Sequence, residues 1–72
     1  MERFGKKLRL LRKQKGMTLK EFAKAIGHTT HSHLSEFETG KRKPSLDFVL
    51  RVSAFFAVSL DQLVKDDREV EG

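Results

Sequence analysis

Three consecutive cations follow a segment rich in histidine and small polar residues, and they are Lys41, Arg42 and Lys43. Lysine and arginine bind phosphate oxygens, and polar side chains on a helix can reach the edges of bases. Helices that begin at Thr18 and Thr30 would offer backbone N–H groups to the same phosphates, with Lys20 close by. These residues predict a phosphate-binding face, although the same cations also suit a solvated turn.

A metal site is the alternative chemistry, because three histidines, His28, His31 and His33, fall within six residues. His31 and His33 are two positions apart on a predicted helix, so their side chains point in different directions. The chain has no cysteine, and no acidic cluster near these histidines completes a tetrahedral set of ligands. We therefore expect no metal and no other cofactor. Protonation of the imidazoles at mildly acidic pH should instead strengthen binding to a polyanion.

Catalysis has little support in the residue types. The sequence offers no cysteine nucleophile, no glycine-rich phosphate loop after a strand, and no Ser-His-Asp set that the fold would bring together. A chain of 72 residues also offers no cleft of useful size. We expect a binding protein and not an enzyme.

Helix-start and helix-stop signals divide the chain into short helices. Apolar residues at Phe4, Leu8 and Leu11 follow the i, i+4, i+7 spacing of an amphipathic helix over residues 3–15. Thr18 and Glu21 form a capping box that marks the start of the second helix. The later helices are expected to begin at Thr30, Ser45 and Ser59, and the expected stops are Gly16, Gly27 and Gly40. The segment from Thr18 to Gly40 thus predicts two helices joined by a glycine turn, an arrangement that holds one helix in the major groove of DNA.

Size and charge limit the classes of protein further. The 72 residues suit one domain, and neither a signal peptide nor an apolar run of bilayer length is present, so we expect a soluble cytoplasmic protein. Residues 1–43 carry twelve Lys and Arg against four Asp and Glu, whereas residues 44–72 carry three against six. The basic half contains the two-helix unit and favours a nucleic acid as partner over an acidic membrane surface. We expect the domain to end at residue 64 and residues 65–72 to form a flexible charged tail.

Two stretches, LRLLRKQKGMTLKEFAKAIG and LSEFETGKRKPSLDFVLRVSAFFAVSLDQLV, resemble the lambda-repressor-like helix-turn-helix family that includes Cro, the phage repressors and the XRE-type regulators. The resemblance covers Phe4 to Val64 and implies an all-α fold, a compact five-helix bundle. It also implies a sequence-specific regulator of transcription, a repressor, that binds a palindromic operator in double-stranded DNA as a homodimer. The chain departs from the family pattern in one extra residue around His28-Thr29 and in Ala57, where the family usually has glycine.

The resemblance also assigns roles to individual residues. It implies that the recognition helix runs from Thr30 to Phe37 and that the base-reading residues are His31, Ser32 and Glu36, with His33 beside them. Ser35 joins the expected phosphate contacts, which are otherwise Thr18, Lys20, Thr30, Lys41, Arg42 and Lys43. Glu36 can accept from cytosine N4, but it can equally pair with a nearby lysine or remain in water. Arg12 and Glu38 are expected to form a structural ion pair across the edge of the core.

The fourth helix carries two apolar stripes. One stripe, Leu46, Val49, Leu50, Ser53 and Phe56, is the expected core face. The other, Phe48, Val52 and Phe55, exceeds what one helix of a small bundle usually buries. We expect the second stripe to form a homodimer interface, and the alternative is a bundle that covers it more fully.

A protein-binding role on the same scaffold is the competing hypothesis. An antitoxin, a controller of a restriction-modification system, or a modulator that binds another regulator would have a similar size and fold. The weak base-reading set of His31, Ser32 and Glu36, which contains no arginine, and the extra residue around His28-Thr29 favour a protein-binding role.

Overall fold

Hydrogen-bonded side chains cap the starts of the last four of the described helices. A computed structural model of the protein describes residues 3–27 and 29–66, and this part of the chain contains five α-helices and no strand. The helices are α1 (Phe4–Gln14), α2 (Leu19–Ile26), α3 (His31–Thr39), α4 (Leu46–Phe56) and α5 (Leu60–Val64). The predicted all-α, five-helix fold is confirmed. Among the same residues no helix combines the length and the apolar character needed to cross a bilayer.

Each predicted cap is present. Thr18 Oγ1 accepts from the Glu21 amide at 3.1 Å while Glu21 Oε1 accepts from the Thr18 amide at 2.8 Å, so the capping box is complete. The hydroxyl groups of the remaining cap residues, Thr30, Ser45 and Ser59, accept in the same way from the third residue of α3, α4 and α5. α3 ends at Gly40, whose φ of 80° is the left-handed conformation that glycine adopts without strain. These local signals fix the lengths of the helices before any packing is considered.

The core is built around aromatic contacts between α4 and the first three helices. The Phe48 ring stacks on Phe37 with 4.4 Å between ring centroids, and it meets Phe4 edge-on at 6.2 Å. Phe22 lies 5.4 Å from Phe56 and 5.8 Å from Phe55. Offset-stacked and edge-on pairs of this kind add about 0.5–1.5 kcal/mol each beyond the area they bury. α4 therefore contacts each of the three preceding helices through its aromatic side chains.

This packing corrects the expectation for the two stripes of α4. Phe48 and Val52 are buried within the chain itself, and Phe55 is half-buried against Phe22, so the expected dimer interface of Phe48, Val52 and Phe55 belongs to the core. Leu46 and Leu50, which were expected in the core, are instead 71% and 45% exposed. The buried face extends to Phe48 because α4 lies against aromatic residues of three helices. In α5, Leu63 is fully buried and Leu60 is 37% exposed.

α1 and α3 approach closely at Gly5. A Cβ atom at this position would overlap the carbonyl oxygen of Phe37 and lie 2.7 Å from that of Glu38. Only glycine fits such a contact between a helix and the backbone of its neighbour. Gly5 therefore sets how near the C-terminal end of α3 lies to α1.

The N-terminal part of α1 also holds the end of α5. Lys7 is 2% exposed, and its Nζ donates to the backbone carbonyls of Gln62 at 2.6 Å and Lys65 at 2.5 Å. Arg3 donates to Asp66 from its backbone amide at 3.0 Å and from its guanidinium at 2.6 Å. A cation at the last carbonyls of a helix complements the helix dipole. Residues 65 and 66 of the expected tail thus contact α1, and the rest of that tail, residues 67–72, lies outside the described residues.

Candidate nucleic-acid interface

The position of α3 determines which of its side chains face outward. Leu34 is fully buried and Phe37 is 8% exposed, and both pack into the core. α3 contacts both α1 and α2, so the opposite side of α3 faces solvent. His31, Ser32 and His33, in its first turn, are all exposed. Three of the residues with an implied base-reading role therefore lie at one accessible end of one helix.

Glu36, one turn further along α3, is joined to the loop that follows the helix. Its Oε2 accepts from Arg42 Nε at 2.9 Å, and 39% of the Glu36 side chain and 46% of the Arg42 side chain remain exposed. The Glu36 carbonyl oxygen also accepts from the backbone amides of Lys41 at 2.9 Å and Arg42 at 3.3 Å. The partner of Glu36 is therefore Arg42, where the sequence had left a lysine or water open.

The loop that follows α3 presents its cations to solvent. Lys41, Arg42 and Lys43 are all exposed. Because the amides of Lys41 and Arg42 donate to Glu36, phosphate contacts from these two residues would come mainly from their side chains. The two bonds also fix the direction in which the loop leaves the helix.

The start of α2 combines groups that attract and repel phosphate. Thr18 and Lys20 are exposed there. The Thr18 backbone N–H donates to Glu21, and this hydrogen bond, followed by the one with the Thr18 side chain, holds the pKa of the Glu21 carboxyl below its usual range. An anionic carboxylate at the N-terminal end of a helix competes with a phosphate for the same amides. Phosphate binding at this end would rely mainly on Lys20, because the Thr18 hydroxyl already bonds to Glu21.

Thr30 and Ser35, the other two residues expected at phosphates, differ in accessibility. Thr30 is exposed, and its hydroxyl oxygen accepts from the His33 amide at 3.2 Å. Ser35 is half-buried, and its backbone carbonyl accepts from the Thr39 hydroxyl at 3.0 Å. A hydroxyl that accepts one hydrogen bond keeps its own hydrogen for another acceptor.

Arg12 and Glu38 form a bidentate ion pair between α1 and α3. Arg12 Nε lies 2.7 Å from Glu38 Oε2, and Arg12 NH2 lies 3.1 Å from Glu38 Oε1. Arg12 NH1 also donates to the Met17 carbonyl oxygen at 2.7 Å. The two side chains are only 12% and 5% exposed, and the hydrogen bond to Glu38 raises the pKa of Arg12 despite the opposing effect of burial. The pair faces the protein and holds α3 against α1.

The histidines show no arrangement typical of a metal site. Among residues 3–27 and 29–66, no group of three or more His, Cys, Asp and Glu side chains lies close enough to hold an ion. His28, near which the resemblance indicated an extra residue, lies outside the described residues.

Comparison with known proteins identifies the family. A helix-turn-helix family model matches residues 8–63. The chain is 36% identical over 67 residues to the uncharacterized HTH-type transcriptional regulator YazB of Bacillus subtilis, covering 93% of this chain and 96% of YazB. It is 37% identical over 71 residues to the HTH-type transcriptional regulator SinR of Bacillus licheniformis, covering 94% of this chain and 63% of SinR.

A third relative is the HTH-type transcriptional activator BcrR of Enterococcus faecalis, which is 30% identical over 64 residues, or 89% of this chain and 31% of BcrR. The chain therefore spans less than two thirds of SinR and of BcrR, but nearly all of YazB. No solved structure matched the chain. The family match over most of the five-helix bundle shows that this chain belongs to the lambda-repressor-like, Cro/C1-type helix-turn-helix family of DNA-binding transcription regulators.

Proposed function

We propose that this protein is a transcriptional repressor that binds a palindromic operator in double-stranded DNA as a homodimer. The observation that supports it is the exposed polar first turn of α3 next to three exposed cations in the following loop. A helix presented in this way fits the major groove while neighbouring cations contact the phosphates on its edges.

The proposed base contacts are made by His31, Ser32 and His33, with Glu36 one turn away. The proposed phosphate contacts are made by the side chains of Lys41, Arg42 and Lys43, by Lys20, and by the hydroxyl groups of Thr18, Thr30 and Ser35. Base contacts select the sequence, whereas phosphate contacts supply most of the affinity and its dependence on salt.

The homodimer is proposed to form through the exposed face of α4. Leu46 and Leu50 lie one turn apart on this face, and Asp47 and Arg51 lie beside them, all four exposed. If two copies of α4 pack antiparallel about a two-fold axis, the leucines of one copy meet those of the other and Asp47 can approach Arg51 of the second copy. A two-fold dimer would place its two recognition helices about 34 Å apart, which is one turn of DNA.

Selection of bound sites from random duplex DNA, followed by a salt titration, tests DNA binding and symmetry together. We expect an enriched palindrome with half-sites about one helical turn apart. If the dimer neutralises about 8 phosphates, log affinity should fall with log salt with a slope of about −7. Lys43→Ala should flatten the slope by roughly 2, since the residue is lost from both subunits.

Lys65→Ala is the matched control, because Lys65 is an exposed cation near the end of α5 and outside the proposed interface. It should leave the slope unchanged. A complex that is insensitive to salt would contradict the assignment, and so would equal effects of the Lys43 and Lys65 variants.

The dimer surface is tested by Leu50→Glu, with Leu10→Glu as control, since both leucines are similarly exposed, at 45% and 44%. Sedimentation equilibrium should give a monomer for Leu50→Glu and a dimer for the wild type and the Leu10 variant. If Leu50→Glu remains a dimer, the interface lies elsewhere. If the wild type is a monomer that purifies with a different protein at high salt, the protein-binding role is favoured over the homodimer.

Repression is proposed because a DNA-bound dimer can exclude polymerase from a promoter using only the surfaces described above. The relative BcrR is named as an activator, so operator position matters for the test. A reporter whose promoter overlaps the selected site should lose expression when the protein is supplied. Increased expression from that promoter would contradict repression.

A further inference from the structure

The Glu36–Arg42 pair differs from an ordinary surface ion pair because backbone and side chain act together. Two successive loop amides donate to the Glu36 carbonyl oxygen, at 2.9 Å from Lys41 and 3.3 Å from Arg42, while Arg42 Nε donates to the Glu36 carboxylate at 2.9 Å. The loop is thus attached to α3 at one residue. Arg42 is therefore bound to Glu36 at both ends, through its backbone amide and through its guanidinium, and this restricts where the guanidinium can lie.

The guanidinium lies at the edge of α3 that the proposed function directs toward DNA. Glu36 is four residues after Ser32, so the two side chains lie on the same side of the helix. Nearly half of the Arg42 side chain is exposed. The Arg42 guanidinium therefore lies beside Glu36, whose side chain is one helical turn from Ser32.

The hydrogen bond to Glu36 leaves most of the arginine donors available. A guanidinium has five N–H groups, and the Nε–H is the one that Glu36 accepts. The two terminal nitrogens form a planar fork that matches the O6 and N7 acceptors of guanine, and this pairing is the commonest specific contact in the major groove. A carboxylate that holds one side of the guanidinium also reduces the rotamer freedom that binding must remove.

We propose that Arg42 reads a guanine in the major groove and that Glu36 is its positioning residue, in place of the phosphate and base contacts proposed for these two residues above. The inference rests on the proposed function, since it requires α3 to enter that groove. It supplies the arginine that the implied base-reading set lacks. It also explains how an acidic side chain is tolerated close to phosphates, because the Arg42 charge offsets that of Glu36.

The first experiment compares wild type and Arg42→Lys in selection from random duplexes. Lysine keeps the charge but lacks the planar fork. We expect one guanine per half-site to be enriched by the wild type and lost with Arg42→Lys, while the salt slope stays the same. Lys65→Arg, at an exposed cation outside the proposed interface, is the control, and it should leave the preferred sequence unchanged.

The second experiment replaces the selected guanine with 7-deazaguanine, which lacks the N7 acceptor. Wild-type affinity should fall by about fivefold or more, because half of a bidentate contact is lost, and the affinity of Arg42→Lys should change by less than about twofold. Glu36→Gln tests positioning: preference for guanine at this position should weaken while the melting temperature stays within about 2 °C of the wild type, as expected for an exposed pair.

Each other outcome overturns the inference. If Arg42→Lys keeps the guanine preference, or if 7-deazaguanine has no effect on the wild type, Arg42 does not read the base. If Glu36→Gln changes the preferred base from cytosine to adenine while Arg42→Lys changes nothing, Glu36 is the reader. Duplex binding without any enriched guanine overturns this inference alone, whereas no duplex binding at low salt overturns the proposed function as well.

Discussion

Glu38→Ala should unfold this protein at a much lower temperature, because it removes one partner of an almost buried ion pair. The Arg12 guanidinium makes two hydrogen bonds to the Glu38 carboxylate, at 2.7 and 3.1 Å, and the two side chains are 12% and 5% exposed. Removing one member of a buried pair costs about 3–5 kcal/mol, since the other charge is left without compensation. Arg12 retains its bond to the Met17 carbonyl, so we expect the low end, about 3 kcal/mol.

For a domain of this size, a loss of about 3 kcal/mol lowers the melting temperature by roughly 12–24 °C. Thermal and urea unfolding followed by circular dichroism would measure it. Glu36→Ala is the matched control: it also removes a glutamate of α3 paired with an arginine, but that pair is 39% and 46% exposed, so the expected loss is below about 1 kcal/mol. The raised pKa of Arg12 means that its contribution is fully present below the unfolded-state value and is lost only as pH rises above it. Arg12 should therefore add no pH dependence between about pH 5 and pH 9.

Equal melting temperatures for Glu38→Ala and Glu36→Ala would refute the argument from burial. Loss of DNA affinity by Glu38→Ala without loss of stability would show instead that Glu38 contacts DNA. As a further check, replacing Arg12 and Glu38 together by methionine should restore part of the stability lost in Glu38→Ala, because no unpaired charge remains.

Three other substitutions follow from local geometry. Ala57 has a φ of 55°, so Ala57→Gly should stabilise the fold by up to about 1 kcal/mol, and unchanged urea unfolding would contradict this. Gly5→Ala should cost about 1–3 kcal/mol, since its Cβ would lie 2.7 Å from the Glu38 carbonyl oxygen, and a wild-type melting temperature would show that α1 and α3 can separate freely. The lowered pKa of Glu21 implies a stabilising contribution that is present above the ordinary value of 4.5 and lost as pH falls through the folded-state value. Glu21→Gln should therefore lose stability less steeply than the wild type during acid titration, and parallel curves would exclude this contribution.

The helix starts could be predicted because their causes are local. A capping box needs only residues three positions apart, as in Thr18 with Glu21 and Ser59 with Gln62, and both boxes are present in the structure. The left-handed end of α4 at Ala57 was indicated only by the family resemblance, in which glycine usually stands at this position. Short-range chemistry of this kind does not depend on how the helices pack.

The buried face of α4 could not be predicted, because periodicity alone does not distinguish two adjacent stripes of the same helix. Phe48 is buried because Phe4 and Phe37, from two other helices, lie beside it, and Leu46 is exposed because no described helix covers it. The same limit applies to Gly5 and Lys7. Gly5 is required because the backbone of α3 passes close to it, and Lys7 is buried because it binds the end of α5. Both neighbours are distant in sequence, so the residues around Gly5 and Lys7 do not indicate them.

The candidate site follows from how completely α3 is held by its neighbours. Gly5 sets its distance from α1, Arg12 joins Glu38 near its C-terminal end, and Phe48 stacks on Phe37 from α4. A helix held from several sides cannot rotate to bury its polar face, so the residues left exposed are defined by the packing of the others. The affinity for DNA should therefore depend on two separable sets of residues. Substitutions of the exposed residues should change sequence preference and salt dependence, whereas substitutions of the packed residues should change the fraction of protein that is folded.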